Sequence, residues 1–159
     1  YCRYEQRLMD EHLQILSGRT LTLEHPFYDH SLLPLSAFIA KHNGYADREA
    51  ALLLAEKYRS KSAEADKAGG LADAVAAKRR QKSLYGRMPL FWRSTAYFLY
   101  RYIVRLGFLD GKEGFLWDFL QGWWYRTLVD AKVMEVERAC AADPGRIRAF
   151  LAERYGIRL

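Results

Sequence analysis

Two cysteines in 159 residues are too few for a disulfide framework, and Cys2 and Cys140 have no metal-binding spacing. They read as free thiols of a reducing compartment. There is no Gly-rich phosphate loop, no nucleophile elbow, no cysteine cluster and no internal repeat. No signal peptide is recognisable, and no run reaches the roughly 20 mostly apolar residues of a spanning helix. The chain opens YCRYEQR without an initiating methionine and reads as a fragment or a trimmed chain.

What is abundant is aromatic character in one place. Of 23 aromatic residues, 14 lie between Tyr85 and Tyr125, including all four tryptophans. The run from Met88 to Lys132, MPLFWRSTAYFLYRYIVRLGFLDGKEGFLWDFLQGWWYRTLVDAK, has more apolar surface than a solvent-facing helix pair needs. It must pack on protein, on a partner or in a membrane interface. Leu90 to Leu106 is apolar around most of its circumference, with Arg93, Arg101 and Arg105 spaced by eight and four into one cationic stripe. That pattern suits a helix lying in the interface, its arginines at the headgroups and Trp92 and its aromatic neighbours in the boundary. Gly107 to Gly114, GFLDGKEG, reads as a turn that breaks the helix. Helix resumes at Phe115, with an apolar stripe of Leu116, Phe119, Leu120, Trp123, Thr127, Ala131 and Met134. Asp118, Gln121, Arg126, Asp130 and Lys132 fall mostly elsewhere. Packing of this hairpin on a soluble core is the plain alternative.

Half of the residues are hydrophobic and 28% are charged, which allows one domain with a sizeable core. The net charge of +6 is uneven: Lys57 to Arg105 holds twelve Lys/Arg against three Asp/Glu, leaving the remainder slightly acidic. Lys78, Arg79, Arg80 and Lys82 lie just before the aromatic block. Such a cluster, with Trp123 and Trp124 beyond it, suits an anionic membrane surface, at about 1 kcal/mol per cation. No recognised nucleic-acid motif accompanies it, so no nucleic-acid partner is expected.

Along the chain, Tyr1 to Arg7 reads as a strand end or a loop. Leu8, Met9, Leu13 and Leu16 fit a short helix stopped by Gly18, and Thr20 to Glu24 alternates as the best strand. Ser31 is a candidate N-cap for LLPLSAFIAKH, Gly44 an interruption, and Asp47 to Tyr58 a strong helix. Gly69-Gly70 reads as a hinge, followed by an Ala-rich helix over Leu71 to Gln81. Val133 to Ala141 continues the helix after the aromatic block. Asp143-Pro144 then opens a last amphipathic helix with Ile147, Phe150, Leu151 and Tyr155 inward, ending near Gly156.

Two places hold titratable groups close together. Asp10, Glu11 and His12 sit at a helix start, where a carboxylate stays ionised and can act as a general base. Adjacent residues point about 100° apart, so only one of the two carboxylates can face a given cleft. His25, Asp29 and His30 form a loop that is no specific metal signature.

The runs RYEQRLMDEHLQILSGRTLTLEH and LSAFIAKHNGYADREA resemble the second half of a bacterial family 2 glycosyltransferase catalytic domain. The run YRYIVRLGFLDGKEGFLWDFLQGWWYRTLVDAKVMEVE resembles the C-terminal tail of the same group, enzymes of lipopolysaccharide core and exopolysaccharide synthesis. The resemblance spans residues 1 to 137. It implies a mainly α chain with one or two short strands: the C-terminal part of a GT-A, Rossmann-like α/β domain, followed by an amphipathic helical tail. Residues 1–58 would be the acceptor side of the catalytic domain, 59–87 a basic linker, and 88–159 the tail. It implies an inverting transfer from a nucleotide-sugar to a glycan or glycolipid, at the cytoplasmic face of the inner membrane. Glu11 or Asp10 would deprotonate the acceptor hydroxyl, with Glu11 favoured, and His12 and His30 would lie on the acceptor side. MDEH departs from the family's commoner Glu-Asp pair, which leaves the register open. A divalent metal, Mg or Mn, would sit on the donor diphosphate, held by a DxD motif that this sequence does not contain. The alternative is a non-enzymatic helical module that docks on acidic lipid or a protein partner.

Overall fold

The computed structural model describes residues 1–4, 8–9, 13–21, 24–25, 32–58, 86 and 88–158. The described chain is mostly helical with a single two-stranded sheet, matching the expected mainly α class.

The sheet pairs β1 (Cys2–Tyr4) with β2 (Leu13–Ile15) antiparallel, in the register Cys2↔Ile15, Arg3↔Gln14, Tyr4↔Leu13. The Tyr1 amino group donates to Ser17 O at 2.7 Å and closes its open end. This corrects two expectations. Leu13 to Leu16 is not helical, and the strand is Leu13–Ile15 rather than Thr20 to Glu24, of which Thr20 and Leu21 are outside any strand. Apolar residues three apart in a nine-residue window do not separate the two periods. A partner eleven residues away, not local propensity, selects the strand. Thr22 and Leu23 lie outside the described residues.

Helix α1 (Leu35–Tyr58) is one 24-residue helix. It starts where Pro34 O accepts from the amides of Ala37 and Phe38 at 3.0 and 3.1 Å. The expected interruption at Gly44 does not occur. A single glycine costs a helix about 1 kcal/mol against alanine, and α1 more than recovers this by burying Ala46, Ala50, Ala51, Leu54 and Ala55. The candidate cap Ser31 lies outside the described residues, as do Gly69-Gly70 and residues 71–81.

Helix α2 (Trp92–Leu99) passes directly into a π-helical stretch, Tyr100–Val104. Leu106, left-handed at φ 60°, ψ 29°, turns the chain into a 3₁₀ turn over Gly107–Asp110. Helix α3 (Gly111–Trp117) follows, then a second π-helical stretch, Asp118–Trp124, then α4 (Tyr125–Ala139). The break is therefore shorter than the three glycines suggest, and helix resumes at Gly111 instead of Phe115. Two of those glycines serve close approach. A Cβ on Gly107 would collide with the Asp118 carboxylate, and one on Gly114 would come within 2.5 Å of Asp110 Cβ and of Gly107 O.

Helix α5 (Pro144–Tyr155) begins and ends as expected. Asp143 Oδ1 accepts from Arg146 N at 2.7 Å, Pro144 occupies the first turn, and Gly156 stops the helix at φ 68°. The core is a three-helix contact. The alanine face of α1 lets Val129 and Val133 of α4 and Ile147 and Leu151 of α5 approach closely, with Cys140 at the α4–α5 corner. Leu54, Ile147 and Leu151 are fully buried, each worth roughly 1.5–3 kcal/mol. Polar bonds outside the core hold α1 alongside α4: Tyr125 OH to Glu49, Lys132 to Asp47 and Lys57 to Glu137. Both cysteines are free, Cys2 exposed and Cys140 buried.

Candidate functional site

The hairpin formed by α2 with its π-helical extension, and by α3 with the π stretch after it, is turned inside out. Trp92, Leu99, Tyr100, Ile103 and Val104 recur at helical spacing, and all five face solvent, Trp92 at 72% and Val104 at 66% exposure. Leu109 in the turn is 69% exposed, and Phe115, Leu116 and Trp117 continue the apolar surface on the second arm. Two ion pairs lie on the inner side, together with a cluster of aromatic rings.

Arg93, expected in the outward cationic stripe, is only 2% exposed and pairs with Asp130, which is 1% exposed. Its Nε donates to Asp130 Oδ1 at 2.8 Å, Nη2 donates to the same oxygen, and Nη1 donates to Gly86 O at 3.1 Å. The second oxygen, Oδ2, accepts from the amide of Phe91 at 2.7 Å. That amide belongs to a γ-turn with φ 67° and ψ −38°, closed by Trp92 N–H donating to Leu90 O at 2.8 Å. This turn form is rare and strained. Asp130 holds it from one side. Ser94 Oγ and Thr95 Oγ1 hold it from the other, donating to Phe91 O at 2.8 and 2.9 Å. Thr127 Oγ1 donates to Ser94 Oγ at 3.0 Å and ties the turn to α4.

Arg101 is likewise drawn inward. Its Nη2 lies 2.8 Å from Asp118 Oδ1, and its guanidinium sits over the Tyr97 ring. Arg105 alone of the three stripe arginines is exposed. Five rings close a cycle across the arms: Phe98 on Tyr102, Tyr102 on Phe115, Phe115 on Phe119, Phe119 on Trp123, and Trp123 back on Phe98, with centroids 5.5–6.0 Å apart. Each contact adds about 0.5–1.5 kcal/mol beyond burial. Trp123 also donates from Nε1 to Thr95 Oγ1 at 3.3 Å, and Trp124 is half-buried.

Sequence reasoning missed Asp118 and Asp130. The sequence pattern puts them mostly off the apolar stripe, yet they are buried positions of this helical stretch, with Gly122, Val129 and Val133. Twelve residues of α-helix put two side chains roughly 120° apart. The π stretch over Asp118–Trp124 turns less per residue and slips that phase, bringing both carboxylates toward α2. The available signal was compositional: lone aspartates in an aromatic helix, after a helix with lone arginines.

Near the hairpin turn the arms part into a cleft of about 400 Å³, whose lining includes Tyr100, Arg101, Arg105, Asp110, Trp117 and Asp118. Asp10, Glu11, His12, Asp29 and His30, and the basic residues Lys78, Arg79, Arg80 and Lys82, lie outside the described residues. His25 is exposed. Among the described residues no group of three His, Cys, Asp or Glu side chains is placed to hold a metal, so no donor set here fits the divalent ion that the resemblance implies. No helix among them is long and apolar enough to cross a membrane. Comparison with protein-family models, with curated proteins and with solved structures finds no match for this chain.

Proposed function

We propose that the chain is the acceptor-side and membrane-facing portion of an inverting family 2-like glycosyltransferase, and that the aromatic hairpin seats it on the cytoplasmic face of the bacterial inner membrane. The observation that carries the docking is the inverted hairpin: apolar side chains outward, Arg93–Asp130 and Arg101–Asp118 inward. A contiguous exposed apolar surface of this kind marks an interaction site. From Trp92 to Val104 the first arm rises only roughly 20 Å, short of a bilayer's hydrocarbon core of about 30 Å. The arms therefore lie in the interface plane, with Trp and Tyr suited to that boundary. The sequence's basic cluster, Lys78 to Lys82, adds attraction to anionic lipid.

The transferase assignment rests on the resemblance, in which Glu11 or Asp10 is the acceptor base. Proton abstraction by a positioned carboxylate contributes about 10²–10⁴ in rate. In the complete enzyme, carrying its donor-binding half, Glu11→Gln keeps shape but removes the acceptor of the proton. It lowers kcat strongly while nucleotide-sugar binding persists. Asp10→Asn is the milder change if Glu11 faces the acceptor, and the harsher one if the register shifts by one. Should neither slow transfer tenfold, the segment has no catalytic role. The inverted hairpin also favours the second reading, a non-enzymatic module on acidic lipid, which predicts membrane binding without dependence on Glu11 or Asp10.

A further inference from the structure

The cleft at the hairpin turn has a charge pattern that the docking reading does not use. Arg101 and Asp118, both in its lining, neutralise each other. The lining also holds one exposed cation, Arg105, and one exposed anion, Asp110, and no ion pair among the described residues engages either. Asp110 offers its carboxylate to no backbone amide of the following helix. Tyr100 and Trp117, both about half exposed, line the same cleft. Gly107 and Gly114 leave the space between the arms clear of further side chains, and Gly114 gives room for the Asp110 Cβ.

We propose that this cleft binds the zwitterionic headgroup of a phospholipid, with the phosphate on Arg105 and the ammonium between Asp110 and the rings of Tyr100 and Trp117. Four charged side chains line the cleft and their formal charges cancel, so a simple anion meets as much repulsion as attraction. A ligand bearing both signs uses both free groups. Arginine matches phosphate geometry with paired N–H donors. An ammonium over an aromatic face is attracted by the ring quadrupole, and a carboxylate beside it adds to that. The volume, about 400 Å³, falls within the range of small-ligand sites. Val104, Leu106 and Leu109 lie exposed around the same turn, where acyl chains would run. The lipid as source rests on the membrane-docking reading; the headgroup chemistry rests on the cleft alone.

Two arms separate these. In the first, glycerophosphoethanolamine is titrated into the chain and followed by chemical-shift changes of Trp117 and Gly107. Glycerol 3-phosphate and ethanolamine serve as half-ligand controls. Saturable millimolar binding is expected, with each half-ligand at least tenfold weaker, and with loss in both Arg105→Gln and Asp110→Asn. In the second, vesicles of equal phosphatidylglycerol content are compared with and without phosphatidylethanolamine. Tighter binding with phosphatidylethanolamine, abolished by Arg105→Gln, supports the proposal. Glycerol 3-phosphate binding as well as the zwitterion would make this an ordinary anion site and overturn it. Vesicle binding indifferent to phosphatidylethanolamine overturns it and leaves the docking reading standing. Cleft binding of the soluble probe with no vesicle binding removes both the docking and the lipid source.

Discussion

Asp130→Ala should be the most damaging single change among the residues that anchor the hairpin. The carboxylate is 1% exposed and accepts from three donors: the Phe91 amide and two nitrogens of Arg93. Truncation leaves a guanidinium in a site that is 2% exposed without its carboxylate counter-charge, while the Gly86 carbonyl still accepts from it. Breaking a buried pair from one side costs about 3–5 kcal/mol. It also frees the Phe91 γ-turn from one of its holds, and relaxation of that strain returns some of the loss. At roughly 2–4 °C per kcal/mol for a chain of this size, the melting temperature should fall by about 6–20 °C. Thermal and urea unfolding of the purified chain read this directly. Removing both charges as Arg93→Met with Asp130→Leu should recover most of the loss, because the desolvation penalty goes with them. Asp47→Ala is the contrast. It removes a partly exposed partner of Lys132 and should cost less than about 1 kcal/mol. If Asp130→Ala costs no more than Asp47→Ala, Asp130 is solvated and the inward placement of the ion pairs is wrong.

Two glycines should respond with opposite sign. Gly107→Ala drives a methyl into the Asp118 carboxylate and should destabilise by about 1–3 kcal/mol, measured as a shift in urea midpoint. Gly44→Ala meets nothing within 4 Å in the middle of α1 and should stabilise by about 0.5–1 kcal/mol. Alkaline stability should depend on Glu137. Its hydrogen bond raises the Lys57 pKa above the ordinary 10.5, and burial first, then the same carboxylate, raises Tyr58 above 10.0. Both groups hold their protons longer folded than unfolded, so their stabilisation is complete below about pH 10 and is lost as pH rises through the folded values. Lys57 is mostly exposed, which keeps its share small. Glu137→Gln should flatten the melting temperature between pH 9.5 and 11.5 relative to the parent, and an unchanged alkaline slope would contradict the assignment (the range brackets roughly one unit about each ordinary pKa).

Local signals in the sequence identified the elements that depend on neighbours a few residues away. Asp143, Pro144 and Gly156 each act within one turn of α5, so its ends were readable. The apolar positions Ile147 and Leu151 sit on an unbroken α period and were readable as core. Elements fixed by distant partners were not. The strand Leu13–Ile15 needs Cys2–Tyr4, and the helix start at Gly111 needs Gly107 and Gly114 as close-packing positions. The hairpin itself was legible as an aromatic pair of helices, but not which way it faces. Its apolar face could be met by protein or by solvent-side partners alike, and the deciding contacts, Arg93 with Asp130 and Arg101 with Asp118, join residues far apart in sequence. The π stretches add a phase slip that a 3.6-residue period cannot carry. Arg105 was legible as an outward cation; Asp110, read only as part of a turn, gained meaning from the cleft it lines.

In the proposed docking, the outward face of the hairpin, not its arginines, meets the bilayer. Co-sedimentation of the chain with acidic vesicles, beside the variant carrying Trp92→Ser, Val104→Ser and Leu109→Ser, tests it most directly. All three side chains are more than half exposed and none belongs to the ion pairs or to the five-ring cluster, so the variant keeps the fold. Burying a large apolar side chain is worth roughly 1.5–3 kcal/mol in full, and about half of that in the interface for each of three gives an expected loss of roughly 50- to 2000-fold. The residual binding should still weaken with salt, since the basic cluster from Lys78 to Lys82 is intact. Equal binding of variant and parent at every salt concentration would contradict the account.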